Sequence, residues 1–225
     1  KNSDIPLSLS LGYAIRTHAS INLESAFSEA DERMYHEKEI QRDFSRGLVL
    51  TTMMHEISNV DEYRAMHMLR VRDMALLIGK TLGLPEREME KLQLASRYHD
   101  IGMISVNTKL INKSGALTAD ELESVRRHPE AGARIAEAHP FLRDIADVIL
   151  SHHEWWNGKG YPKGTKGDDI PLLSRIITAA DAFDAMTNNP YYRTPLTREE
   201  AFAELRKLSG KQFDPEIVSV LLTIA

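Results

Sequence analysis

Residues 152–162 read HHEWWNGKGYP, a histidine doublet that is followed closely by a glycine-rich motif. The segment 157–171 contains four glycines and two prolines, which predicts a loop. Upstream, residues 99–102 read His-Asp-Ile-Gly, a second pair of adjacent side chains that suit metal ions. Two such doublets together with a glycine-rich loop predict a metal site rather than isolated core histidines.

The composition favours metal chemistry on nitrogen and oxygen ligands. The 225 residues include nine histidines and no cysteine, which excludes disulfides, thiolate zinc sites, iron–sulfur clusters and cysteine nucleophiles. A net charge of −5 argues against binding to duplex nucleic acid. The longest uncharged stretch, Ile5–Ile15, has 11 residues and is too short to span a bilayer. A cytoplasmic location is expected, with any membrane tether carried by upstream domains.

The apolar pattern predicts a mostly α protein with a short strand-plus-helix fragment at its N-terminus. In that fragment, Ile5–Ile15 alternates like a strand and Leu23–Arg46 has helical spacing. Gly47 is the breaker before the next apolar run, so we place a domain boundary between residues 46 and 47. The helices predicted beyond it are Tyr63–Lys80, Pro85–Arg97, Ala119–His128, Glu130–Ala138, Phe141–Ser151, Ser174–Met186, Thr197–Ser209 and Pro215–Ile224.

Five histidines and two aspartates lie at positions that suit metal ligation. They are His67, His99, Asp100, His128, His152, His153 and Asp181. Imidazoles and carboxylates suit Fe, Mn, Zn or Ni in the absence of sulfur. Adjacent residues on a helix diverge by about 100°, so each doublet can serve two ions. Seven ligands suit two ions that keep positions open for water and substrate. The remaining histidines, which we predict to be structural, are His18, His36, His55 and His139.

Taken in chain order, four motifs resemble the HD-GYP domain, a subgroup of the HD phosphohydrolase superfamily that hydrolyses cyclic di-GMP. They are His99-Asp100-Ile-Gly, His152-His153-Glu, Asn157-Gly-Lys-Gly-Tyr-Pro and Asp181-Ala-Phe-Asp-Ala-Met-Thr. The resemblance implies an HD-type helical bundle around a metal centre, in a domain at 47–225. The fragment at 1–46 resembles the last strand and last helix of a GGDEF-like diguanylate cyclase domain. GGDEF-type proteins are therefore candidate partners, and a homodimer is compatible with this organisation.

The same resemblance implies roles for individual residues. The seven residues named above would bind two divalent ions, Fe or Mn, with Asp100 bridging them and a metal-bound hydroxide attacking phosphorus. The expected product is the linear dinucleotide or GMP. Asp184 is expected to orient a ligand imidazole. The implied substrate contacts are Gly158, Gly160, Tyr161, Pro162 and Arg193.

Four positions depart from the family pattern. Tyr63 stands where some members have a glutamate that helps bind a third metal, so two ions rather than three are expected. Met103 replaces a lysine that contacts substrate phosphate, and Pro190 replaces a basic residue. Asn157 replaces an aspartate, which is a mild change. Each lost charged hydrogen bond would cost about 1.5–3 kcal/mol of binding, so weaker cyclic dinucleotide binding is expected.

Three other functions remain open from the sequence. Met103 and Pro190 suggest a phosphohydrolase for another nucleotide. Activity measured on a panel of nucleotides would distinguish it from a cyclic di-GMP phosphodiesterase. A sensor or interaction module would bind nucleotide without hydrolysing it, and redox chemistry at a di-iron centre would consume dioxygen. The complete ligand set favours a hydrolase.

Overall fold

The computed structural model describes residues 62–111, 113, 115–188 and 194–225, together with Phe27, Ser28, Ala30, Asp31 and Met34. The chain divides into two compact units, Lys1–Thr52 and Met53–Ala225. The five described positions of the first unit are helical. The predicted strand Ile5–Ile15 and most of the predicted helix Leu23–Arg46 lie outside the described residues. The GGDEF-like assignment of 1–46 and the boundary at 46–47 stay predictions.

Between residues 62 and 225, the described residues form nine α-helices. They are α1 (Glu62–Thr81), α2 (Glu86–Tyr98), α3 (Thr108–Ile111), α4 (Ala119–Arg126), α5 (His128–Ala138), α6 (Ala146–Ser151), α7 (Leu172–Asn188), α8 (Arg198–Leu208) and α9 (Pro215–Ile224). Short 3₁₀ turns occupy Ile101–Ser105, Arg143–Ile145 and Gly167–Asp169. These residues form no sheet, so the predicted mostly α fold class is confirmed. None of the described helices is both long and apolar enough to cross a bilayer.

Helix boundaries differ from the predictions where the local chemistry was misjudged. The predicted helix Ala119–His128 is wrong at its end, because α4 stops at Arg126 and a new helix begins at His128. Pro129 explains the break, since a residue without a backbone N–H fits the first turn of a helix but not its interior. The predicted helix Phe141–Ser151 is also wrong in its first half, where a 3₁₀ turn precedes α6. Pro85 caps α2 instead of opening it.

The hydrophobic core lies between the longer helices. Helix α1 packs along α2 and α7, while α5 packs against α6 and the turn Ile101–Ser105. The fully buried aliphatic side chains in these contacts include Val71, Ile78, Leu92, Ile149, Ile176 and Ile177. Burying each such side chain stabilises the fold by about 1.5–3 kcal/mol. The bundle therefore fixes the ends of several helices relative to one another, and five of the seven predicted ligands lie at such ends.

The turn after α2 meets α5 backbone to backbone at Gly102. A Cβ atom on Gly102 would collide with the carbonyl oxygen of His128 and lie 2.5 Å from the nitrogen of Gly132. Glycine is required here because no side chain fits between the two segments. This approach brings Asp100, two residues earlier, next to His128.

Candidate metal centre

Five helices bring all seven predicted ligands to one region. His67 lies on α1, His99 and Asp100 follow α2, His128 opens α5, His152 and His153 follow α6, and Asp181 lies on α7. Two groups of these side chains offer donor atoms that all lie within 4.8 Å of one another. The first is Asp100, His128, His152 and His153, and the second is His67, His99 and Asp100. Asp181 adjoins the second group through His67, whose Nε2 lies 3.2 Å from Asp181 Oδ1.

Asp100 belongs to both groups, and its two oxygens face different histidines. Its Oδ1 lies 3.2 Å from His128 Nε2 and 3.7 Å from His152 Nε2, whereas its Oδ2 lies 3.6 Å from His99 Nε2. Burial alone would raise the pKa of Asp100, but these histidines hold it well below its usual range. A carboxylate that stays ionised and faces both ways has the geometry needed to bridge two cations.

Three of the histidines are held so that Nε2 is left for a metal. In each, Nδ1 lies within hydrogen-bond distance of the carbonyl oxygen three residues earlier. The pairs are His99 with Ser96 at 2.9 Å, His128 with Val125 at 2.8 Å, and His152 with Ile149 at 2.5 Å. A carbonyl can only accept, so Nδ1 carries the proton and Nε2 carries the lone pair. This backbone anchoring of Nδ1 is usual for metal-binding histidines.

One of these three Nε2 atoms has no partner in the described part of the chain, and the other two face each other. His99 Nε2 is buried without a hydrogen-bond partner among the described residues. His128 Nε2 and His152 Nε2 face each other at 3.2 Å, so two lone pairs would be opposed unless a proton or a cation lies between them. Burying unsatisfied polar atoms costs free energy, and divalent ions at these positions would remove that cost. The residues therefore fit a metal centre.

His67 is oriented by a carboxylate rather than by the backbone. Its Nδ1 lies 2.7 Å from Asp184 Oδ2, and Arg70 donates to the same carboxylate, with Nε 2.5 Å from Oδ1 and Nη2 3.1 Å from Oδ2. Burial lowers the pKa of His67, but hydrogen bonds to Asp181 and Asp184 outweigh it and raise the pKa to about 10. In the metal-free protein a proton on His67 Nε2 therefore competes with a metal ion. The sequence analysis gave Arg70 no role, although its spacing from His67 puts both on one helix face.

Arg70→Gln is expected to weaken metal binding about 10–100-fold, the usual cost of losing a residue that supports a ligand. Without its two-pronged donor, Asp184 no longer holds the His67 ring in place. The dissociation constant for Mn²⁺, measured by competition with a chelating dye, checks this. Arg72→Gln is the matched control, because Arg72 lies on the same helix and pairs with Asp73. Equal affinities in the two variants would contradict a supporting role for Arg70.

The predicted loop 157–171 returns to the centre at Tyr161. The Tyr161 ring stacks on His153 with 4.9 Å between ring centroids and 25° between planes, and its N–H donates to the His153 carbonyl. Gly160 permits this approach, since a Cβ there would lie 2.5 Å from Glu154 Cα and collide with the Trp155 nitrogen. Tyr161 and Gly160 are thus beside the predicted ligand doublet, and Pro162 follows Tyr161 in the chain.

The other predicted substrate contacts are less close to the centre or lie outside the described residues. Gly158 has a φ of 79° and faces Gly164 and Lys166 within its own loop. Arg193 lies in 189–193, which is outside the described residues, as does the side chain of Tyr63. Glu154 belongs to the His152-His153-Glu motif but had no predicted role; it is buried, and its Oε1 accepts from the backbone of Lys163 at 2.6 Å and Gly164 at 3.1 Å. Glu154 therefore anchors the loop, and its position directly after the doublet was the available signal.

Comparison with known proteins shows the family of this chain. Residues 46–217 match the model of the HD domain family. The chain is 36% identical over 179 residues to a cyclic di-GMP phosphodiesterase of Thermotoga maritima. The aligned residues make up 79% of this chain and 48% of that protein. The chain is 32% identical to the 3'3'-cGAMP-specific phosphodiesterase 2 of Vibrio cholerae, over 76% of this chain and 34% of that protein. The chain thus spans about half the length, or less, of these relatives.

A solved structure gives the same fold. The crystal structure of a cyclic GMP-AMP specific phosphodiesterase of V. cholerae superposes with a TM-score of 0.56 at 27% sequence identity. The match covers 70% of this chain and 43% of that one. The helices that carry the ligand residues fall in the part of the chain that the family model covers.

Proposed function

Since this chain belongs to the HD domain family and is homologous to cyclic di-GMP phosphodiesterases of the HD-GYP type, we propose that it is a metal-dependent phosphodiesterase that hydrolyses cyclic di-GMP. The observation that carries the proposal is the convergence of five histidines on Asp100, with Asp181 beside His67 and with His99 Nε2 left without a partner among the described residues. The product would be the linear dinucleotide, or GMP if both phosphodiester bonds are cut.

The donor set suits two divalent ions, which we propose to be Fe or Mn, because borderline nitrogen and hard oxygen ligands match these metals. One ion would be held by Asp100, His128, His152 and His153, and the other by His67, His99, Asp100 and Asp181. When bound, such ions neutralise phosphate oxygens and lower the pKa of water so that it can attack phosphorus. Two ions rather than three remain the expectation.

The protein's own residues would hold this chemistry in position. The Nδ1 hydrogen bonds of His99, His128 and His152 keep their Nε2 atoms directed at the centre. The Asp184 carboxylate does the same for His67. Asp100 and Asp181 supply negative charge that balances the cations, and the pKa of Asp181 is lowered to about 2 because its hydrogen bond with His67 outweighs burial. Both carboxylates are therefore ionised at neutral pH.

The protein loaded with Fe²⁺ without oxygen, or with Mn²⁺, is expected to convert cyclic di-GMP to the linear dinucleotide or GMP, and chelation is expected to stop turnover. Chelation should also lower the free energy of unfolding by about 2.7 kcal/mol for each ion that is present at 100 times its Kd. Chromatography of the products and thermal unfolding with and without chelator measure the two effects. Absence of turnover in both loaded forms, with two ions per chain by elemental analysis, would contradict the proposal.

A second candidate substrate is 3'3'-cGAMP. It is favoured by the V. cholerae relative that is named for this nucleotide. Both cyclic dinucleotides have the same phosphodiester ring and differ in one base, so the centre described above could act on either. The ratio of kcat/KM for the two substrates decides between them. Saturable binding of either without hydrolysis would instead favour a sensor.

A further inference from the structure

We propose that Arg126 binds a phosphate group of the substrate at the edge of the metal centre. The inference rests on the proposed function, since it assigns a substrate contact to the same site. Arg126 is the last residue of α4, it is exposed, and it stands two residues before His128. The carbonyl oxygen of Val125, its neighbour, holds the Nδ1 atom of His128, so the end of α4 is tied to the centre.

A stack of three side chains fixes the position of this cation. The Arg126 guanidinium carbon lies 5.4 Å from the centroid of the Tyr161 ring. The Tyr161 ring in turn stacks on His153, with 4.9 Å between the ring centroids. A guanidinium over an aromatic ring is attracted by the ring's electrons while its N–H groups remain available at the edge. Arg126 is therefore held near a proposed ligand without using its hydrogen-bond donors.

Arg126 has no acidic partner among the described residues, as is true of some other arginines, but the ring beneath it stacks on a predicted metal ligand. No carboxylate of the described residues lies within 4 Å of its guanidinium, whereas Arg127 Nε is 3.8 Å from Glu123 and Arg175 Nη1 is 2.6 Å from Asp214. A positioned guanidinium without a counter-ion, beside a site for a phosphodiester, suits an anionic oxygen pair. Met103, on the turn after Asp100, carries no charge that could take this place.

The test compares Arg126→Gln, Arg126→Lys and Arg127→Gln in the Mn²⁺-loaded protein. Equilibrium binding of cyclic di-GMP and steady-state kinetics are measured together, with metal content by elemental analysis. Arg126→Gln is expected to raise both the Kd and the KM about ten-fold or more, with kcat and metal content unchanged. The Kd and the KM of Arg126→Lys should lie between those of the wild type and those of Arg126→Gln, because an ammonium keeps the charge but loses the two-pronged contact. Arg127→Gln should behave like the wild type.

The outcomes separate this inference from the proposed function. Equal affinity of wild type and Arg126→Gln for cyclic di-GMP, including no measurable affinity in either, overturns the role of Arg126. So does a loss of bound metal or a fall in kcat with KM unchanged, because the residue would then act by ordering His153. A wild type that binds cyclic di-GMP but does not hydrolyse it counts against the proposed function, while the difference in binding still supports the assignment of Arg126.

Discussion

Asp100→Asn is expected to lower kcat by at least about a thousand-fold, a loss at the upper end of those seen when one charge-stabilising group is removed from an active site. Asp100 is the residue shared by the two ligand groups, with Oδ1 facing His128 and Oδ2 facing His99. An asparagine has one oxygen and no charge. It can contact one ion through that oxygen, but its amide nitrogen faces the other ion with hydrogens instead of a lone pair.

Metal content distinguishes this explanation from a simple loss of folding. Elemental analysis of Asp100→Asn should give one ion per chain or fewer, where the wild type is expected to bind two. Asp147→Asn provides the control, because Asp147 is an exposed carboxylate on α6, the helix that precedes His152. It should retain both ions and full turnover. A variant at Asp100 that kept two ions and most of its activity would contradict the bridging assignment.

Gly102→Ala is expected to destabilise the protein by at least about 3 kcal/mol, which is large for the addition of one methyl group. The new Cβ would collide with the His128 carbonyl oxygen and crowd the Gly132 nitrogen. Both are backbone atoms of α5 and cannot turn aside as a side chain would. Relief requires the turn and the helix to separate, which also moves Asp100 away from His128.

Gly83→Ala is the matched control for this effect. Gly83 has a φ of 71°, but a Cβ there would meet nothing within 4 Å. Its cost is therefore the backbone strain alone, about 1–2 kcal/mol. Urea unfolding of both variants gives the comparison, and the affinity for Mn²⁺ should fall in Gly102→Ala only. If the two variants were equally stable, close contact at Gly102 would not be the reason for its glycine.

The candidate ligands of the two doublets could be predicted because their chemistry is visible in short motifs, whereas His67, His128 and Asp181 stand alone in the sequence. A histidine next to an aspartate, or to another histidine, needs no knowledge of the fold to be a candidate, and the glycine-rich loop marks where a helix must end. Among the residues that support the ligands, Asp184 was expected from the family resemblance, but its partner Arg70 was not. Arg70 and Asp184 are 114 residues apart in sequence, and their contact exists only once α1 and α7 have packed. Arg126 likewise becomes notable only when Tyr161 lies beneath it.

The errors in the helix predictions lie at helix boundaries, which periodicity alone does not define. The apolar pattern runs on from α4 into α5, and periodicity alone continues the helix through His128. The predicted break fell at Pro129 itself, but proline is accepted in the first turn of a helix, and α5 accordingly begins one residue earlier, at His128. The consequence is functional: the change of direction at Arg127 turns His128 towards Asp100.

The spread of the ligands over five helices has a consequence for how the chain is kept folded. His67 and Asp184, which orients it, are separated by 117 residues, and the other ligands fall between them in sequence. Ions bound here would act as cross-links that close long loops and restrict the unfolded chain, as disulfides do in proteins that contain cysteine. This chain has no cysteine, so its strongest long-range connections would be reversible and would depend on the supply of metal.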